Sequence, residues 1–160
     1  MTIAKGQRLP FGSFMTPGAD GPEKIATDAL FQGKTAVLIG VPGAFTPTCS
    51  LNHLPTFIDK NDALRSKGVE EIAVISVNDP FVVKAWRDST GGEGKVTYLA
   101  DPKGEYIQSL GLDMDIPGLG GLRSKRFCML VKDNVVQELM VEDSPGESGK
   151  TDADALLAKL

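Results

Sequence analysis

Three stretches of the chain are largely apolar. Ala36-Val37-Leu38-Ile39 lies inside Lys34 to Gly40, Ile72-Ala73-Val74-Ile75-Ser76-Val77 is the second, and Val96 to Ala100 is the third. Continuous runs of this length, in place of an alternation, are expected of strands covered on both faces. Between them the period changes. After Cys49 the apolar positions continue through Phe57, Ile58 and Leu64 at helical spacing, with Pro55 expected to kink the helix and Gly68 to cap it. Pro80 opens another helix carrying Phe81, Val82, Ala85 and Trp86, which should stop near Gly91-Gly92.

The two ends of the chain are built from shorter pieces. Turn formers at Pro10, Pro17-Gly18, Asp20-Gly21-Pro22 and Gly33 separate Phe11 to Met15 from Ala26 to Phe31, which reads as a short hairpin and a helical turn. Asp101-Pro102-Lys103-Gly104 is a turn before a short helix to Leu110, and Ile116 to Leu122 reads as a Gly-rich loop exposing Ile116, Leu119 and Leu122. Arg126 to Lys132 and Val135 to Val141 are strands joined at Asp133-Asn134, a strong two-residue hairpin signal. A last helix starts near Asp152. Strands alternate with helices and close on a hairpin with a covering helix, so the class is α/β, a central mixed sheet flanked by helices with an N-terminal hairpin. No repeat or linker divides residues 1–160, and a single domain is expected.

Composition acts mainly by exclusion. With 41% apolar and 24% charged residues the chain is an ordinary globular one. A net charge of −4 and a pI near 5.0 lack the basic footprint of a nucleic-acid binder. No apolar run approaches the roughly 18 residues of a membrane span. The N-terminus has no signal-peptide layout, so a cytoplasmic protein is expected, although a removed transit peptide would leave no trace. Two cysteines, far apart, suit neither a disulfide scaffold nor a zinc site, and a reducing compartment with a working thiol fits better.

The candidate chemistry is in Pro42-Gly43-Ala44-Phe45-Thr46-Pro47-Thr48-Cys49-Ser50, between the first strand and the first long helix. Thr46 suits an N-cap and Pro47 the first helical position, which leaves Cys49 in the first turn. Unpaired amides and the positive end of the helix dipole both favour thiolate there. A buried structural cysteine is the plain alternative.

This stretch resembles the peroxidatic loop Pro-x-x-x-Thr-x-x-Cys of the peroxiredoxins, in their type II or five-like subfamily, at every defined position. His53-Leu54-Pro55, Ser76-Val77-Asn78-Asp79-Pro80-Phe81 with Ala85-Trp86, Leu99-Ala100-Asp101-Pro102 and Arg123-Ser124-Lys125-Arg126-Phe127 extend the likeness over almost the whole chain. The resemblance implies a thioredoxin-like fold and a thiol peroxidase acting on hydrogen peroxide and small organic hydroperoxides. It makes Cys49 the nucleophile, converted to a sulfenic acid, with Thr46, Arg126 and Pro42 around it. Thr46 would hydrogen-bond thiolate or peroxide, Pro42 would shield the sulfur, and Arg126 would supply positive charge. From the residues alone Arg126 is one of a basic cluster with Arg123 and Lys125, and only the likeness singles it out. His53 is secondary. Four residues after Cys49 it suggests a Cys-His pair, but protease pairs usually take the histidine from another element, and no orienting residue is identifiable. Phe45, Phe81 and Leu119 become candidates for a homodimer face.

The chain departs from the family in its second thiol. Plant-like type II members carry a resolving cysteine where this chain has Val74, and animal five-like members carry one near the C-terminus, around Ser148 and Lys150 here. Cys128 shares a strand face with Arg126 and reads as core, so it is a candidate but disfavoured resolving thiol. The resulting expectation is a one-cysteine cycle with no cofactor or metal, regenerated by glutathione and glutaredoxin or by thioredoxin. A peroxide-sensing relay or chaperone-like protein using the same cysteine is the competing function. A thiol-disulfide oxidoreductase is disfavoured for want of Cys-x-x-Cys.

Overall fold

The structure, a computed structural model, describes all 160 residues. Strands β1 (Ser13–Gly18) and β2 (Gly21–Ala26) form a hairpin followed by helix α1 (Thr27–Phe31). Strand β3 (Thr35–Gly40) leads through a loop to a π-helical turn, Cys49–His53, continued by α2 (Leu54–Asp59) and α3 (Asn61–Ser66). Then come β4 (Glu71–Ser76), α4 (Pro80–Thr90), β5 (Thr97–Ala100) and α5 (Glu105–Leu110). A small ribbon of β6 (Asp113–Ile116) and β7 (Gly121–Ser124) precedes β8 (Phe127–Lys132), β9 (Val135–Val141) and α6 (Ala153–Leu157).

Seven strands make one mixed sheet in the order β2-β1-β5-β4-β3-β8-β9, the thioredoxin-like arrangement of an α/β fold. Strand β3 lies inside it, parallel to β4 and antiparallel to β8. Its side chains alternate between two apolar clusters. Ala36 and Leu38 join Phe31, Ile107 and Leu110 from α1 and α5, whereas Val37 and Ile39 join Leu54, Phe57, Leu64, Val83, Trp86 and Leu156 from the helices opposite. Both faces are covered, which is why the strand is apolar at consecutive positions.

The turn chemistry is visible in two places. Asp79 caps α4 by accepting from the Phe81 and Val82 amides, and Gly91 ends that helix at φ 73°. Asp133 and Asn134 adopt φ 48° and 65°, the left-handed pair that a two-residue hairpin of matching twist requires.

Two expectations are corrected. Pro55 does not kink one continuous α-helix that runs on to Leu64; it lies in the first turn of α2, directly after the π turn Cys49–His53. The irregularity lies on either side, in the wide turn where the Leu54 amide reaches back to the Cys49 carbonyl, and at Lys60, which separates α2 from α3. The 116–122 stretch is not an open loop. Ile116 pairs with Gly121, a single 3-10 turn (Pro117–Leu119) reverses the chain, and Gly120 and Gly121 take φ 95° and 111°. Ile116, Leu119 and Leu122 are therefore half-buried, with Leu122 seated against Gly104.

Gly40 ends β3 opposite Phe127, and a β-carbon there would fall 2.0 Å from a carbon of that fully buried ring. Gly40→Ala should lower the stability read from urea unfolding by about 1–3 kcal/mol. An unchanged midpoint would contradict this packing.

Candidate active site

The loop that leaves β3 is tied at several points. The Val41 amide donates to the Ile75 carbonyl (3.2 Å) and the Ala44 amide to Asn78 Oδ1 (3.0 Å). Phe45 holds φ 64°, uncommon for an aromatic residue, and its side chain is exposed. The helix then begins as the Ser50 amide donates to the Thr46 carbonyl (3.0 Å). Trp86 Nε1 donates to Ser50 Oγ (2.9 Å), which fastens this first turn to α4.

Cys49, His53 and Arg126 meet behind that turn. Cys49 and His53 have no exposed surface and Arg126 is 2% exposed. Arg126 Nη2 donates to Cys49 Sγ at 3.0 Å, and Nη1 donates to His53 Nδ1 at 3.0 Å. Nε and Nη2 both donate to the Pro145 carbonyl, at 3.2 and 2.9 Å. No ion pair in the chain involves Arg126. A guanidinium carries five N–H groups and keeps its charge in any protein environment. Four are used here, and the fifth is on Nη1.

His53 completes the arrangement. Its Nε2 donates to the Thr151 carbonyl (2.9 Å), so Nδ1 is the acceptor facing Arg126 and the ring is neutral. Burial first, and then the Arg126 charge, lower its pKa from 6.5 to about 3, against the opposing bond to Thr151. Both ring nitrogens are thus occupied, and no Cys-His pair forms. The residue that orients the ring is Thr151, which reading the sequence did not find.

Thr151 and Pro145 belong to a strap from Glu142 to Thr151 that crosses over Arg126. The strap is pinned by the Lys150 amide and the Thr151 hydroxyl, which donate to Glu142 Oε2 at 2.8 and 2.7 Å. Its contacts with the site run through main-chain carbonyls, which leave no side-chain signature in a sequence.

The other expected residues stand as follows. Pro42 is buried in the loop after β3. Thr46 has the N-cap place, but its hydroxyl donates to the Gly43 carbonyl (2.7 Å) and caps nothing; towards a ligand it can act as an acceptor. Cys128 is fully buried in the same apolar cluster as Cys49, and burial first, then the Asp152 charge, push its thiol pKa up. Phe45 and Phe81 are 52% and 69% exposed. Leu119 is half-buried, and its carbonyl accepts Nε and Nη2 of Arg123 (3.1 and 2.6 Å), whose guanidinium also covers Gly43. Arg123 therefore joins the ribbon tip to the loop that carries Phe45. No group of three His, Cys, Asp or Glu side chains converges as metal ligands would.

Residues 4–157 match the Redoxin family model. Peroxiredoxin-2B of Arabidopsis thaliana is 45% identical over 99% of this chain and 98% of that protein. The hybrid peroxiredoxin hyPrx5 of Haemophilus influenzae is 37% identical over 100% of this chain and 67% of its own length. Among solved structures, reduced Prx3 of Vibrio vulnificus in complex with hydrogen peroxide is 42% identical, with a TM-score of 0.93 and 99% of each chain covered.

The state of His53 ties stability to pH. Its pKa is lower folded than unfolded, so the unfolded chain binds more protons between pH 6.5 and about 3. The contribution is complete above 6.5 and falls as the solution is acidified, by at most about 1.4 kcal/mol per pH unit. His53→Gln should flatten the dependence of the urea midpoint on pH between 6.5 and 5. A slope equal to that of the parent would contradict a neutral buried ring.

Proposed function

Because the chain belongs to the peroxiredoxins of the Redoxin family, in their type II or five-like group, and is a thiol-dependent peroxidase, we propose that Cys49 is its nucleophile and Arg126 the cation that serves it. The observation that carries this reading is the 3.0 Å contact of Arg126 Nη2 with Cys49 Sγ, in a buried setting where the guanidinium has no carboxylate partner. The thiolate is the anion best placed to balance that charge.

In the reaction the sulfur attacks one peroxide oxygen. The S–O bond forms as the O–O bond breaks, and the departing hydroxide or alkoxide takes up a proton and leaves as water or alcohol. Cys49 is oxidised to a sulfenic acid. Charge grows on the leaving oxygen, and the remaining Nη1 N–H of Arg126 is a donor for it; the Thr46 oxygen can accept from the peroxide hydroxyl. The Thr48 and Cys49 amides, which donate to no other backbone group, are further donors. Pro42 helps keep water from the sulfur. Since Cys49 has no exposed surface, hydrogen peroxide and small organic hydroperoxides are the favoured substrates.

An external thiol then attacks the sulfenic sulfur, which it reaches when the turn carrying the buried Cys49 opens, releasing water and leaving a mixed disulfide. A second thiol frees Cys49 as the carriers become a disulfide. Glutathione with glutaredoxin, or thioredoxin, fits this role. Cys128 is given no role in this cycle, because burial and then the Asp152 charge push its thiol pKa up. Both cysteines are free, which suits a reducing compartment such as the cytoplasm. A second copy of the chain would cover Phe45 and Phe81, with Leu119 alongside through Arg123; burying each exposed ring contributes roughly 1.5–3 kcal/mol. The single-domain reading of residues 1–160 is supported by one sheet that takes its strands from β1 at Ser13–Gly18 through β9 at Val135–Val141.

Stopped-flow mixing of the reduced protein with hydrogen peroxide tests the chemistry. Cys49→Ser should not react, Arg126→Met should react roughly 100-fold more slowly, and Cys128→Ser should turn over normally with an external thiol. A parental rate in Arg126→Met, or lost turnover in Cys128→Ser, would overturn the respective role. For the dimer, Phe45→Asp together with Phe81→Asp should sediment as a monomer where the parent sediments as a dimer; a monomeric parent would dispose of the homodimer.

A further inference from the structure

One buried carboxylate takes no part in the chemistry above. Glu142, at the end of β9, is 7% exposed and enters no ion pair. A carboxylate withdrawn from water is costly unless its oxygens are hydrogen-bonded. Here a single oxygen, Oε2, receives both the Lys150 amide and the Thr151 hydroxyl. Its own amide donates to the Arg126 carbonyl (3.0 Å). Glu142 thus bonds to the backbone of the residue that carries the guanidinium and to the far end of the strap lying over it.

The strap in turn meets the reactive cluster at two carbonyls. Pro145 O receives two N–H groups from the same edge of Arg126, which fixes the plane of the guanidinium, and Thr151 O fixes the His53 ring on which Nη1 rests. Hydrogen bonds weaken steeply with misalignment. A planar fork that aims one donor at a sulfur therefore depends on where those carbonyls stand. We propose that Glu142 is a positioning residue of this site, acting through the strap carbonyls on the orientation of Arg126 and His53. The inference rests on the assignment of Arg126 as the cation serving Cys49. The alternative is a carboxylate that only closes a loop and contributes generally to stability.

The two roles separate in a mutant cycle. Because both strap bonds end on one oxygen, the amide oxygen in Glu142→Gln can accept both, whereas Glu142→Ala accepts neither. The reaction of reduced protein with hydrogen peroxide is followed by stopped flow for the parent, Glu142→Ala, Glu142→Gln, Arg126→Met and the Glu142→Ala/Arg126→Met double variant. Thermal unfolding confirms that each is folded at the assay temperature. Glu142→Ala should slow the reaction roughly tenfold, and Glu142→Gln should return it to within about threefold of the parent. In the Arg126→Met background Glu142→Ala should change nothing further, since there is no guanidinium left to aim. The positioning role is overturned if Glu142→Ala reacts at the parental rate, if Glu142→Gln is as slow as Glu142→Ala, or if the slowing is equally large with and without Arg126. Should Glu142→Ala fail to fold, Thr151→Val, which deletes one of the two strap bonds, replaces it in the same cycle with a smaller expected loss and the same criterion. A parental rate for Arg126→Met would instead remove the assignment on which the inference stands, a different result from any of these.

Discussion

A guanidinium shut away from water beside a cysteine sulfur, with no carboxylate in reach, is the constraint around which this molecule is arranged. Arg126 cannot shed its proton, so its surroundings must answer the charge with acceptors. They do so with two strap-borne and ring-borne acceptors, the Pro145 carbonyl and His53 Nδ1, and with Cys49 Sγ. His53 stays neutral because burial and the adjacent cation both oppose a second charge. The sulfur is the one partner of the three that can become an anion.

The sheet delivers these groups by register. Strand β3 runs antiparallel to β8 with Gly40 opposite Phe127, so the chain leaves β3 for the Cys49 loop where it enters β8 from Arg126. Side chains alternate along β8, and Cys128 lies in the cluster that contains Cys49. A slip of one residue would send this whole set to the opposite face of the sheet. The close seating of Gly40 on Phe127 is one of the contacts that fixes the pairing.

How much could be read beforehand depended on whether the signal was local. Strands β3 and β4 are legible as largely apolar runs because helices cover both faces, and α4 is bounded in the sequence by Pro80 and Gly91 acting through their own backbone geometry, whereas the Asp79 side-chain cap emerges only in the structure. Cys49 was marked by the residues just before it. Arg126 was not: beside Arg123 and Lys125 nothing local distinguishes the buried guanidinium from its neighbours, and the family likeness had to choose. The π turn before Pro55, the ribbon at 113–124 and the turned hydroxyl of Thr46 depend on competing hydrogen bonds that a residue pattern does not rank. The strap was out of reach for another reason, since it acts through carbonyls of residues distant in sequence from those they hold.

The proposed pairing of the Arg126 charge with Cys49 is tested most directly by the ultraviolet absorbance of a thiolate at neutral pH, with Cys49→Ser subtracted as the blank. The account predicts a thiolate signal from Cys49 in the parent and a clear loss of it, at the same pH, in folded Arg126→Met. An equal signal with and without the guanidinium, or none in the parent, would contradict it.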